Sequence, residues 1–138
     1  MSIQLQVGVK ALIQDDEGKI LLLERNSELF GHDDRWDIPG GRIQTGEPHL
    51  EGLKREIKEE TGMSLAKVKD IFYVQDILRN EESHVVRITY LVEATGEVEL
   101  SHEHTSHKWV DVKNIENELS SELIDRFLVD AMSERGWI

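Results

Sequence analysis

The stretch from Glu47-Pro48 to Thr61-Gly62 constrains this chain more than any other. Proline is tolerated at the first helical position and glycine takes the left-handed stop, so about four turns of helix are expected between them. At about 100° per residue, Leu50, Leu53 and Ile57 fall within roughly 60° of one another and give that helix a core side. Glu56, Glu59 and Glu60 occupy an arc of roughly 100° beside the stripe, while Lys54 and Lys58 lie nearly opposite. At about 6 Å and an effective dielectric near 20, each carboxylate pair repels by roughly 3 kcal/mol before screening. Surface helices avoid this by interleaving the two signs, so a cation is expected among these acids. A hard divalent ion suits them, because Mg²⁺ takes carboxylate and carbonyl oxygens, keeps several waters and bridges to phosphates. Gly52 lies in the same arc, at a mid-helix cost of up to ~1 kcal/mol against Ala, and predicts close approach of a loop or ligand. Arg55, four residues from both Glu51 and Glu59, is expected to hold a carboxylate in one orientation.

Elsewhere the pattern is mostly that of strands. Val7, Val9, Ala11 and Ile13 alternate with Gly8, Lys10 and Leu12, Asp15-Asp16-Glu17-Gly18 supplies turn chemistry, and Lys19 to Arg25 reads as a returning buried strand. Residues 3–25 therefore predict a β-hairpin. Trp36-Asp37-Ile38-Pro39-Gly40-Gly41 is a short extended segment ending in a tight turn. Residues 65–78 and 84–93 predict a second hairpin, with Val86, Ile88, Tyr90 and Val92 on one face. Residues 107–112 form a short strand. Leu119, Leu123, Ile124, Phe127, Leu128 and Ala131 give the stripe of a C-terminal helix preceded by Ser120-Ser121. That helix, with Trp137, either covers the sheet or contributes to a homodimer.

At 138 residues, one domain over 1–138 is expected. Twenty-eight acidic against sixteen basic residues leave a charge of −12, which repels nucleic-acid phosphates and anionic membranes. The absence of cysteine excludes disulfides and thiolate chemistry and fits a reducing compartment. With Ile20-Leu21-Leu22-Leu23 the longest aliphatic run and no signal pattern, a cytoplasmic protein is the expectation.

Reading on from Gly41, the chain has five residues, Glu47, seven residues, Arg55-Glu56, Ile57, one residue, Glu59-Glu60, one residue, Gly62 and Met63. This resembles the signature of the Nudix hydrolases at every defined position, and a chance match in a chain of this length is on the order of 10⁻⁷. The resemblance extends from about residue 5 to 130 and takes in the Val7 to Arg25 segment, the Trp36 to Gly41 lead-in, and Glu103 with Trp109-Val110. It implies an α/β (α+β) fold, a mixed β-sheet between helices. The implied activity is Mg²⁺- or Mn²⁺-dependent hydrolysis of a nucleoside diphosphate linked to another group. By that resemblance Glu56, Glu59 and Glu60 would be metal ligands, joined by a backbone carbonyl at Gly40 or Gly41, while Arg55 and Glu47 would brace loop and helix. The base that activates water would be Glu103 or Glu56, with Glu103 favoured.

Arg25, Arg35, Arg42, Arg79 and Arg87 are candidate phosphate clamps, Arg25 and Arg42 foremost because they are nearest the acidic helix in sequence. Trp36 and Phe30 either stack on a base or pack in the core. Tyr73 and Tyr90 read first as sheet packing. His102, His104 and His107 suggest zinc weakly, since no fourth ligand appears, and are expected to be exposed on a loop. Among relatives, ADP-ribose-directed members tend to carry a Pro shortly beyond the signature and dinucleoside polyphosphate-directed ones a Tyr. Leu78, Arg79 and Asn80 stand there instead, which leaves nucleoside triphosphates and nucleotide sugars as the expected substrates. A nucleotide-sensing module that kept the fold and lost catalysis is the alternative.

Overall fold

The computed structural model describes residues 3–30, 35–118 and 124–138. In chain order its elements are β1 (Gln4–Ile13), β2 (Ile20–Arg25), α1 (Ser27–Phe30), β3 (Trp36–Asp37), β4 (Gly40–Arg42), α2 (His49–Thr61), β5 (Ser64–Asn80), β6 (Ser83–Thr95), β7 (His104–Val110), a 3-10 turn (Val112–Asn114), α3 (Ile115–Glu118) and α4 (Arg126–Glu134). They build one sheet in the order β4-β1-β6-β5 and a second in the order β3-β2-β7. The first is mixed, with β1 parallel to β6 and its other pairs antiparallel.

The expected hairpin over residues 3–25 is corrected. The turn forms as its chemistry dictates, with Asp15 Oδ1 accepting from the Glu17 and Lys19 backbone N–H groups at 3.0 and 2.8 Å and Gly18 at φ 82°. The strands beside it part after the single Gln14–Ile20 bridge and enter different sheets, because β4 and β6 take both edges of β1 while β3 and β7 take those of β2. Both strands bury both faces. Val9, Ala11, Ile13, Leu21 and Leu23 face one core with Leu53 and Ile57 of α2. Leu12, Ile20 and Leu22 face a second core with Leu128, Ala131 and Met132 of α4.

Residues 36–42 stitch the two sheets together. β3 pairs with β2, β4 pairs with β1, and Pro39 O between them accepts from Ala11 N at 2.9 Å. Gly40 has φ 150°, and a Cβ there would lie 2.1 Å from Val9 O and 2.7 Å from Lys10 Cα. Gly40→Ala is therefore expected to destabilise by more than ~3 kcal/mol, read as the loss of soluble protein or a melting temperature roughly 10 °C lower. Melting within about 2 °C of the parent would contradict this backbone contact.

Helix α2 begins after Pro48 and stops at Gly62, whose φ is 72° and whose N–H returns to Lys58 O, as the caps predict. Leu53 and Ile57 are fully buried, each contributing about 1.5–3 kcal/mol. Leu50, expected beside them, is 37% exposed, so the core stripe is narrower than its angles suggest. At Gly52 a Cβ would lie 2.6 Å from Ile43 Cγ2 and 3.0 Å from Glu47 Oε1, so the expected close approach is that of the preceding loop.

The β5–β6 hairpin forms as expected and somewhat longer, and Tyr73 and Tyr90 pack on its two sides. β7 starts three residues before the predicted strand. The C-terminal helix starts after Asp125, whose side chain accepts from Leu128 N at 3.2 Å, and not after Ser120-Ser121. Ile124 stays extended and bridges Trp36, which holds the chain out of helix one residue longer. Ser120, Ser121, Leu119 and Leu123, and the side chain of Phe30, lie outside the described residues. Trp137 packs edge-on against Phe72 at 4.7 Å, so the C-terminal segment covers the sheet. Among the described residues no helix is long and apolar enough to cross a membrane.

Candidate active site

The loop after β4 and the acidic face of α2 meet at Arg55. Its Nε and Nη2 grip Glu47 at 2.7 and 3.0 Å, its Nη1 reaches Glu56 at 3.0 Å and Glu59 at 3.2 Å, and Nη2 also donates to Arg42 O. This paired, planar contact is available to a guanidinium and not to an ammonium. The Arg55 hydrogen bonds, and then the Gln44 N–H, hold the Glu47 carboxyl down at about 2, and Glu47 in turn raises the Arg55 guanidinium. Glu47 thus braces loop against helix. A cation was expected among the acids, and Arg55 supplies part of it from within the helix. Lys54 and Lys58 turn away as predicted, to Glu51 and to Gly62 O.

Glu60 stands apart from this cluster. It is 7% exposed, its Oε2 accepts from Gly40 N at 2.6 Å, and its Oε1 lies 3.7 Å from His104 Nε2. Burial pushes its pKa up to about 8 even though Lys10 and the Gly40 N–H favour the ionised form. Gly41 lies close under Glu56, and a Cβ there would sit 2.7 Å from its carboxylate and displace it.

The donors available to a metal are carboxylate and backbone oxygens, which suit a hard divalent ion. As they stand, no three acid or histidine side chains among the described residues converge on one point. Arg55 draws Glu56 and Glu59 to one side and Gly40 draws Glu60 to the other. Mg²⁺ needs only one or two carboxylates and keeps its waters, so the set fits.

Beside them lies a cavity of about 360 Å³ between β1, β5 and β6 and the loops above them. Glu60, Gly40, Gly41 and Glu103 line it, and so do Arg25, Arg42, Arg79 and Arg87. Of the expected site residues, Glu47, Arg55, Glu56 and Glu59 are not in its lining, and neither are Arg35 and Trp36. Arg35 pairs with Glu24 at 2.5 Å. Trp36 is 7% exposed within the α4-side core, with Lys108 over its ring, so the structure favours packing over base stacking.

His104 is buried, contrary to the exposed loop position expected, while His102 and His107 are exposed. Burial, then Lys10, lowers its pKa to about 4, so the ring is neutral at ordinary pH. Its Nε2 faces the Glu60 carboxylate and its Nδ1 is enclosed without a partner.

Three residues that sequence reasoning passed over, Lys10, Asp37 and Asp125, form buried ion pairs at or beside the cavity, one of them with Arg87. Lys10 Nζ donates to Asp37 Oδ2 at 2.9 Å and to Ile38 O at 3.1 Å, and Arg87 Nη1 donates to Asp125 Oδ2 at 2.9 Å. Burial would raise the Asp37 pKa, but Lys10, Arg87 and the Ile38 N–H bring it below the ordinary carboxylate value. Asp125 is raised by burial and by Asp37, against Arg87 and Lys10. Lys10 left one signal in the sequence, the single charged residue of β1.

A family model described as the NUDIX domain matches residues 4–129. The chain is 32% identical over 111 residues to an ADP-ribose pyrophosphatase from Methanocaldococcus jannaschii, covering 79% of this chain and 63% of that protein. It is 30% identical over 114 residues to the nucleoside triphosphatase NudI of Escherichia coli, covering 75% and 80% of the two. The chain thus spans just under two thirds of the first of these relatives, and it spans only 21% of an mRNA cap hydrolase from Xenopus laevis. The crystal structure of a MutT protein from Methanosarcina mazei superposes with a TM-score of 0.81 at 27% identity, over 99% of this chain and 96% of that one. The mixed sheet between α2 and α4 and the Gly41 to Met63 signature are thereby accounted for together: the chain belongs to the Nudix hydrolase family.

Proposed function

We propose that the chain hydrolyses a diphosphate linkage in a nucleoside diphosphate joined to another group, with a divalent metal, by attack of water on phosphorus. One observation carries this reading. In a chain of net charge −12, a single cavity brings the buried Glu60 and the Gly40-Gly41 backbone together with Glu103, Arg25 and Arg42. Phosphoryl transfer requires mainly positioning and charge neutralisation, and this is how such a cleft is equipped.

Glu56, Glu59 and Glu60, with a Gly40 or Gly41 carbonyl, would hold Mg²⁺ or Mn²⁺. Bound there, the metal supplies Lewis-acid stabilisation of the phosphoryl oxygens and lowers the pKa of water in the cleft. Arg25 and Arg42 orient the phosphates. Glu103 takes the proton from the attacking water. Among the described residues nothing holds its carboxylate, whereas Glu56 is pinned by Arg55 and packed against Gly41. The loop bearing Glu103 is itself fixed, since its backbone carbonyl accepts from Asn26 N at 2.8 Å.

The test is a panel of nucleoside triphosphates, nucleotide sugars and dinucleotides with Mg²⁺ or Mn²⁺, read as phosphate release after a coupling phosphatase. Turnover of at least one class is expected, and binding throughout without turnover would favour a sensor. Glu103→Gln is expected to lower kcat about 10²- to 10⁴-fold with metal affinity retained, and a loss below about threefold would move the base to Glu56.

A further inference from the structure

The end of the cavity away from the carboxylates has a floor and a rim of different character. Its floor is Gly8 of β1 with Val85 and Ile77, paired neighbours on β6 and β5. Gly8 offers no side chain, and a Cβ there would lie 3.4 Å from Val85 Cγ1, so the three make a low apolar shelf. Arg79 and Arg87 stand at its rim, their guanidinium carbons 5.2 and 5.5 Å from the centroid of the same Phe127 ring. That ring, on the first turn of α4, fixes where both guanidinium groups lie.

The hydrogen-bonding capacity at this end is one-sided. Both oxygens of Asp37 are engaged, Oδ1 by Ile38 N and Oδ2 by Lys10 Nζ. Asp125 Oδ2 accepts from Arg87 and from Leu128 N. Asn80 Oδ1 accepts from Glu82 N at 2.8 Å in the β5–β6 turn, which settles the orientation of the amide and leaves its NH₂ as the free group. A guanidinium carries five donors and no acceptor. Apart from the Ser83 hydroxyl, which can donate or accept, the side chains at the rim thus offer mainly donors.

From this donor-rich rim over a flat apolar shelf, we infer that the cavity selects a nucleobase whose exposed edge carries carbonyl acceptors, guanine or uracil, over adenine or cytosine. Guanine presents O6 and N7 and uracil O4 on the edge where adenine and cytosine present an amine. An amine placed here faces N–H groups and gains no hydrogen bond from them, whereas a carbonyl accepts from them. The inference rests on the proposed hydrolase reading for the placement of the diphosphate at the carboxylate end.

The test compares kcat/KM for GTP, UTP, ATP and CTP with Mn²⁺, alongside calorimetric titration of the same four nucleotides. GTP and UTP are expected to exceed ATP and CTP by about tenfold or more. Asn80→Asp keeps the acceptor that caps the turn and exchanges the donor for an acceptor, on an exposed residue that leaves the fold intact. It is expected to cut the preference to under about threefold, through KM with kcat little changed. Arg79→Met, also at an exposed position, should act in the same direction. Equal use of the four nucleotides by the parent, or an unchanged ratio in both variants, would overturn the inference and leave the hydrolase reading standing. Tighter binding of GTP and UTP without hydrolysis of any nucleotide would overturn the hydrolase reading and uphold the base preference.

Discussion

Metal-free Glu60→Gln protein should melt higher than its parent at about pH 9, by roughly 5–10 °C, and the gap should close as the pH falls toward 4.5. In the folded chain the Glu60 carboxyl keeps its proton up to about 8, against 4.5 for an ordinary glutamate. Across that window the folded state holds a proton that the unfolded state has released, so stability falls as pH rises through it. With the side chain 7% exposed, the full penalty above pH 8 is on the order of several kcal/mol. Glutamine keeps the shape and has no proton to lose. Because the substitution also removes a proposed ligand charge, Mn²⁺ should raise the melting temperature of the parent and leave the variant unmoved. Coincident melting of the two metal-free proteins from about pH 5 to pH 9 would show that Glu60 pays no such burial penalty.

The second large effect is expected at Arg55. Its guanidinium touches Glu47, Glu56, Glu59 and the Arg42 carbonyl at once, which lysine cannot reproduce. Arg55→Lys should lower kcat by about 10²-fold or more, because the loop and two carboxylates lose their shared anchor and sub-ångström misplacement is enough for such a loss. A titration separates positioning from unfolding. The folded Glu47 carboxyl is depressed to about 2, so it favours the fold above pH 4.5 and that contribution disappears as pH falls toward 2. In Arg55→Lys the Glu47 carbon resonance should titrate close to 4.5 in a protein that is still folded. A Glu47 midpoint unchanged at about 2 would place its stabiliser elsewhere.

What the sequence disclosed follows from how local each cause is. The stop of α2 at Gly62 and the turn at Asp15–Gly18 are decided within a few residues, and both are as read. Strand pairing is decided across the chain. The turn chemistry that predicts a hairpin over residues 3–25 is silent about β4, β6, β3 and β7, which take the edges that β1 and β2 would have shared. Ser120-Ser121 and Asp125 are both good helix starts, and the bridge from Ile124 back to Trp36 selects Asp125. In the site, the Glu47–Arg55 brace was implied by the family resemblance, whereas helical spacing alone pointed Arg55 to Glu59. The Lys10–Asp37 and Arg87–Asp125 pairs span 27 and 38 residues, and no local pattern announces them. His104 looked like one of three loop histidines, and its position at the start of β7 facing Glu60 is a product of the assembled sheets.

The segment from Trp36 to Arg42 belongs to both sheets, whereas the Asn80–Ser83 turn belongs to one. Insertion or drift in the former would tear two hydrogen-bonded networks apart, while the latter can lengthen or change its side chains and disturb only its own tip. Evolution on this scaffold is therefore free to vary the hairpin end, where we infer that the base is read, while the segment carrying Gly40 and Gly41 of the proposed metal site stays locked to folding itself.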